Sequence, residues 1–137
     1  MKKNIILFLS LTIIFLSCQR NDKIIGVWER EGDAFAGMKV EVIRSGNNLN
    51  GIIIYSPEYS KTRGFVENDI KWKDIKNIEV DSYEFKSLQK TTDNYGNIIN
   101  VDYVLTRLEI KNNIIKTRLY SKGSENIGTE QIWIRVK

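Results

Sequence analysis

"MKVEVIRSGNNLNGIIIYS" (Met38–Ser56) is the stretch whose reading decides the fold. Its first half alternates, with Met38, Val40 and Val42 on one face and Lys39 and Glu41 on the other. A period of two belongs to a half-buried β-strand. Gly46, Asn47 and Asn48 form a turn cluster, and "LNGIIIYS" (49–56) returns as a second strand. Asn50-Gly51 is also a strong hairpin signal. A turn there, however, leaves Gly46–Asn48 without a role and shifts the register of the isoleucine run. The turn is therefore placed at 46–48. Gly51 becomes a strand glycine, of the kind found where a barrel bends or a bulky side chain packs on backbone.

The same pattern extends in both directions. "IIGVWERE" (24–31) precedes this hairpin, across the loop "GDAFAG" (32–37). "PEYSKTRGFVEN" (57–68), with the only proline, is the longest loop. Further strands are expected at "DIKWKDI" (69–75), "SYEFKSLQKTT" (82–92), "NIINVDYVLTRLEI" (97–110), "IIKTRLYS" (114–121) and "TEQIWIRV" (129–136). Turn clusters at 93–96, 111–113 and 122–128 separate the later ones, and no stretch carries helical periodicity. Short connections imply sequential antiparallel pairing. The expected fold is thus all-β: an antiparallel up-and-down meander of about eight strands, closing into a small barrel that is either filled or holds one small ligand. Alternation places Trp72 inward with Lys71 and Lys73 outward. Val40, Val42, Trp72, Phe85, Val101, Tyr103 and Leu119 form the expected inward apolar set and are the ligand-binding candidates.

The first residues have a different character. Lys2 and Lys3 precede an uncharged run from Ile5 to Leu16, which is short of the roughly 20 residues a helix needs to span a bilayer. Ser17 and Cys18 follow, then the polar Gln19, Arg20, Asn21 and Asp22. This arrangement resembles a bacterial lipoprotein signal, with Phe15 where the usual box has leucine. An ordinary signal peptide with an incidental cysteine and a membrane-anchoring helix are the competing readings. The resemblance implies that residues 1–17 are a signal peptide that is removed, that Cys18 carries lipid, and that 18–24 form a lipidated tether ahead of a barrel domain at 25–137. It also implies membrane attachment through Cys18, on a bacterial outer membrane facing periplasm or cell surface. Several acyl chains would make that attachment stable, whereas one would not.

Loss of 17 of the 137 residues leaves 120, a single-domain length able to bury about two-thirds of its unfolded surface. Lys2 and Lys3 would leave too, so 19 basic residues would face 17 acidic ones, and no basic block argues for nucleic acid. Cys18 is the only cysteine and there is no histidine. Cys–His and Ser–His nucleophile pairs and His- or Cys-based zinc sites are therefore excluded.

Gly26-Val27-Trp28 in the first strand and Trp133-Ile134-Arg135 in the last resemble the lipocalin-like (calycin) pattern, in which G-x-W opens the barrel and an arginine of the final strand lies across the tryptophan. "GNNLNGIIIY" and "TEQIWIRV" are also similar to short secreted bacterial lipocalin-like domains of unknown function. The resemblance implies that Gly26, Trp28 and Arg135 form a structural plug at one end, Gly26 leaving room for the indole. A cation–π contact of this kind contributes roughly 0.5–2 kcal/mol.

Other stretches take simpler readings. "EREGD" (29–33) reads as a solvated strand end rather than a calcium site, and "DNYGN" (93–97) as a hairpin turn. Glu79, Asp81 and Glu84 are not brought together by anything in the sequence, so no catalytic residue, metal or cofactor is expected. Phe35, Tyr59 and Phe65 in the two long loops either cap the barrel mouth or present a binding surface. The expected function is a non-enzymatic lipid-anchored module that binds an apolar small molecule or lipid within the barrel. The alternative is a filled barrel that uses its loops to dock on, or inhibit, an envelope or foreign protein.

Overall fold

Ser45 pairs with Asn48 across Gly46-Asn47, and Gly46 has φ 61°. The hairpin thus turns at 46–47, and the competing Asn50-Gly51 lies within a strand. The structure, a computed structural model, describes residues 22–119 and 130–137. Its elements are β1 (Gly26–Glu31), β2 (Lys39–Ser45), β3 (Asn48–Tyr55), α1 (Glu58–Thr62), β4 (Ile70–Glu79), β5 (Ser82–Thr92), β6 (Ile98–Lys111), β7 (Ile114–Leu119) and β8 (Gln131–Arg135). Each strand runs antiparallel to the next, and β1 also pairs with β8, closing an eight-stranded up-and-down barrel. Every strand of the closed ring comes from residue 26 onward.

The two ends of the barrel differ. β2–β3, β4–β5 and β6–β7 are joined by two-residue turns, since Ser45–Asn48, Glu79–Ser82 and Lys111–Ile114 are paired. In the last of these, Asn112 and Asn113 both have positive φ (52° and 61°), the type I′ geometry that matches strand twist. An antiparallel meander places these three turns, with both termini, at one end. The longer connections after β1, β3 and β5 lie at the other, here called the mouth. β4 runs past the expected limit of residue 75 to Glu79. The 57–68 loop contains the short helix α1, a five-residue turn of chain below the length at which periodicity is readable.

Two corrections follow from strand register. Gly51 pairs with Trp72 and Ile52 with Ile70, so Lys71 is an extra residue on β4. This is a β-bulge, which re-aims side chains. Lys71 and Trp72 are both buried (2% and 0% exposed) while Lys73 is exposed and Ile70 largely so, and the expected outward Lys71 is overturned. On β6, Thr106 pairs with Phe85 and Leu108 with Tyr83, which puts the even-numbered residues inside. Val101 (54% exposed) and Tyr103 share the opposite face with Leu105, so neither points into the barrel, although the half-buried Tyr103 packs against the core from that face. A one-residue parity error moves a whole strand face, and Ile99, Val101, Tyr103 and Leu105 make the outer set look the more apolar.

The interior is built from aromatic rings. Trp72 meets Trp133 at 4.9 Å and 75°, and Phe85 at 5.4 Å. Trp28, Trp72, Trp133, Val40, Ile53 and Ile115 have no exposed surface. A side chain with none touches no void that admits water, so the waist of the barrel is filled. Gly51 makes this packing possible: a Cβ there would lie 2.8 Å from Val40 and 2.9 Å from Trp72.

Candidate functional site

At the end that carries the termini, Arg135 lies over the Trp28 ring at 4.2 Å, and the two residues are paired across β1 and β8. The Trp28 indole donates to the Ile24 carbonyl (2.8 Å). The Arg135 guanidinium donates to the carbonyls of Ile25 (2.8 Å) and Lys23 and to Asn113 Oδ1 (3.0 Å). Gly26 has φ +142°, and a Cβ there would sit 2.5 Å from Arg135 Nη1. The space expected for the indole is thus taken by the guanidinium. These contacts close that end.

The mouth is where polar chemistry collects. Arg30 follows Trp28 by two residues, so the same inward face carries it upward, and it is 7% exposed. The bulge turns Lys71 in from β4, and Lys90 comes from β5. Arg30 donates through Nε (2.9 Å) and Nη2 (2.7 Å) to Asp33, whose other oxygen accepts from the Phe35 backbone N–H (2.9 Å). Lys90 donates to Asp69 (2.7 Å) and to the Gly64 carbonyl (2.6 Å). Lys71 donates to the Leu88 carbonyl (2.6 Å) and, at 3.5 Å, to the Ser87 hydroxyl. Among the described residues it has no carboxylate partner. Burial, reinforced by the positive charges of Arg30 and Lys90 and only partly opposed by Asp69, lowers the Lys71 pKa to about 7. Burial likewise pulls Arg30 below its usual value despite Asp33.

Aromatic rings lie above and below these cations. The Trp133 ring is 5.7 Å from the Arg30 guanidinium on the waist side. From the loops, Phe35 lies 4.7 Å from Arg30, and Phe65 lies 4.6 Å from Lys71 and 5.9 Å from Lys90. Phe35 meets Phe65 edge-on at 5.8 Å and Tyr59 at 5.2 Å. Phe65 is buried, Phe35 half-buried and Tyr59 exposed. The three loop rings thus form a lid over a cationic layer. The loop behind it is tied down where Ser56 Oγ donates to the Phe65 carbonyl (2.6 Å). Two buried donors in the described structure make no hydrogen bond, the Trp133 indole N–H and the Gln89 amide, together with the Ser60 hydroxyl of α1.

The expected ligand-binding residues fare unevenly. Val40, Val42, Trp72 and Phe85 are buried together in the waist, where they pack on one another rather than around a space. Tyr103 is outside, its hydroxyl donating to the Ile70 carbonyl (3.0 Å). The Leu119 side chain and Cys18 lie outside the described residues. Grooves of 210, 530 and 390 Å³ are present, and none has Val40, Val42, Trp72 or Phe85 in its walls. The 530 Å³ groove, for example, runs past Val27, Lys39, Ile54 and Val136. Arg30, expected within a solvated strand end, is instead buried, and its parity with Trp28 is the signal that could have placed it. Lys71 had no such signal, because a bulge leaves no mark in the alternation. Among the described residues no group of three or more potential metal ligands converges. No known protein family, curated protein or solved structure matches this chain.

Proposed function

We propose that this chain is a lipid-anchored envelope lipoprotein whose lipocalin-like barrel is a non-enzymatic binding module that works at its mouth, not a carrier of apolar cargo. The observation that carries this reading is the filled waist: Trp28, Trp72 and Trp133 have no exposed surface, so the barrel offers no space there for a lipid. A ligand pocket for a small molecule ordinarily spans roughly 300–1,000 Å³.

Topology supports the same division. The N-terminus enters at the plugged end, and Asp22 is already bound to Arg44 there. If Cys18 carries lipid, four residues reach from it to Asp22, at most about 14 Å of extended chain. The plugged end then faces the membrane, and the long loops with Phe35, Tyr59 and Phe65 face away from it.

The test is native mass spectrometry of residues 19–137 with an envelope extract, beside a titration with a neutral apolar fluorophore. A mouth-acting module takes up no fluorophore and gains an adduct or partner that Tyr59→Ala weakens. Saturable fluorophore uptake, blocked by enlarging Val42, would restore the carrier reading.

A further inference from the structure

The mouth holds three buried or nearly buried cations and two engaged carboxylates. Asp33 is used by Arg30 and Asp69 by Lys90, which leaves the Lys71 charge uncompensated. An ammonium has three N–H donors, and here one short and one long hydrogen bond are made, the rest of the group resting on the Phe65 face. An unpaired buried charge is strongly destabilising, so its retention calls for a use. The Trp133 indole N–H is buried and unbonded as well, on the residue that pairs with Arg30 across β1 and β8 and whose ring lies 5.7 Å from the Arg30 guanidinium. Ammonium, guanidinium and indole N–H are all donors and none can accept. Such a set is complementary to an anionic acceptor.

The charge and the surroundings narrow the class. One uncompensated positive charge matches a monoanion, whereas a phosphate monoester carries about −1.5 to −2 at neutral pH. The layer is roofed by Phe35 and Phe65, whose loops contain Gly32, Gly37 and Gly64 at φ 80°, 92° and 85°. Separating the two rings exposes the cations and offers an aromatic wall on each side. A carboxylate borne on an apolar or aromatic group fits both features.

We propose that Arg30, Lys71 and the Trp133 indole N–H bind the carboxylate of a small apolar organic acid, admitted between Phe35 and Phe65. This rests on the mouth being the working end. It also assigns the protonation state that binds: Lys71 is the group that titrates, facing Arg30, Lys90 and Asp69, with Asp33 on Arg30. Its charge is present at pH 6 and largely gone at pH 9.

The experiment titrates residues 19–137 with benzoate, following tryptophan fluorescence and heat, with benzyl alcohol, acetate and inorganic phosphate as comparison probes. Benzoate should bind saturably, about tenfold or more tighter at pH 6 than at pH 9, the loss expected for one charge-assisted hydrogen bond. Lys71→Met should abolish that pH dependence, and Trp133→Phe should weaken binding at both pH values. Acetate should bind more weakly than benzoate, and benzyl alcohol not at all. Absence of benzoate binding, binding indifferent to pH, or phosphate binding more tightly than benzoate would each overturn the assignment. Should Lys71→Met fail to fold, the pH comparison on the unmodified chain decides alone. Uptake of a neutral apolar fluorophore would instead count against the mouth reading itself, so the two failures are distinguishable.

Discussion

Removing the charge of Lys71 should change how stability depends on pH, in a calculable direction. Lys71 is buried, and its pKa falls from 10.5 to about 7 on folding. A lowered pKa in the folded state means that the unfolded chain binds the extra proton between pH 7 and 10.5. Stability supplied by this group therefore rises with pH across that window and is flat below it. From pH 6 to pH 9 the gain is on the order of 2–3 kcal/mol, since a pKa unit corresponds to a little over 1 kcal/mol. Lys71→Met keeps the length and apolar stem while deleting the titration. The variant should be more stable than the parent at pH 6, and the difference should shrink by roughly 2–3 kcal/mol at pH 9. Urea unfolding followed by tryptophan fluorescence at pH 6, 7.5 and 9 measures this, with three tryptophans in the barrel as reporters. Parallel pH profiles for parent and variant would refute the reasoning, because they would mean that Lys71 keeps its proton equally in both states.

Other perturbations test the packing and the anchor. Gly51→Ala puts a Cβ 2.8 Å from Val40 and 2.9 Å from Trp72 in an already filled waist, and should cost about 1–3 kcal/mol in urea unfolding. Trp28→Ala empties the plug and strips Arg135 of its ring, for a loss of about 3–5 kcal/mol; a cost below about 1 kcal/mol would contradict the contact. Cys18→Ser should abolish partitioning of the full chain, expressed in a bacterial host, into detergent, and normal partitioning would sink the proposed lipid anchor.

The fold was legible because its signals are local and repeated. Gly46 and Asn112-Asn113 supply positive φ where tight turns need it, and β-branched alternation between them leaves the chain few alternatives to a meander. Trp28 and Arg135 were legible as neighbours because closing the ring pairs the first strand with the last. The cationic layer resisted reading for separate reasons. Arg30 sits in an acidic context, "EREGD", that looks solvated, although its parity with Trp28 points inward. Lys71 turns inward only because β4 carries one residue more than β3 across the Gly51–Ile52 step. β6 failed through parity: its outer face holds Ile99, Val101, Tyr103 and Leu105, and only pairing to Phe85 reveals Thr106 and Leu108 as inward. The Lys71 and β6 misses concern register, which a single-strand pattern underdetermines.

An even-stranded meander also constrains how this barrel can be used. Both termini leave from the plugged end, so the long loops occupy the far end whatever their sequences. Ahead of the first strand, the Arg135 guanidinium holds the carbonyls of Lys23 and Ile25 while stacking on Trp28. The final strand thus clamps the segment that leads into the first strand, at the seam where the ring closes. Arg135 gains from partial burial here: burial lowers its pKa, yet an arginine remains charged, so the clamp does not titrate. Lys71 at the mouth is the opposite case, a lysine whose charge is pH-dependent near neutrality. Arginine at the plugged end and lysine at the mouth divide the barrel into a seam insensitive to pH and a mouth that responds to it.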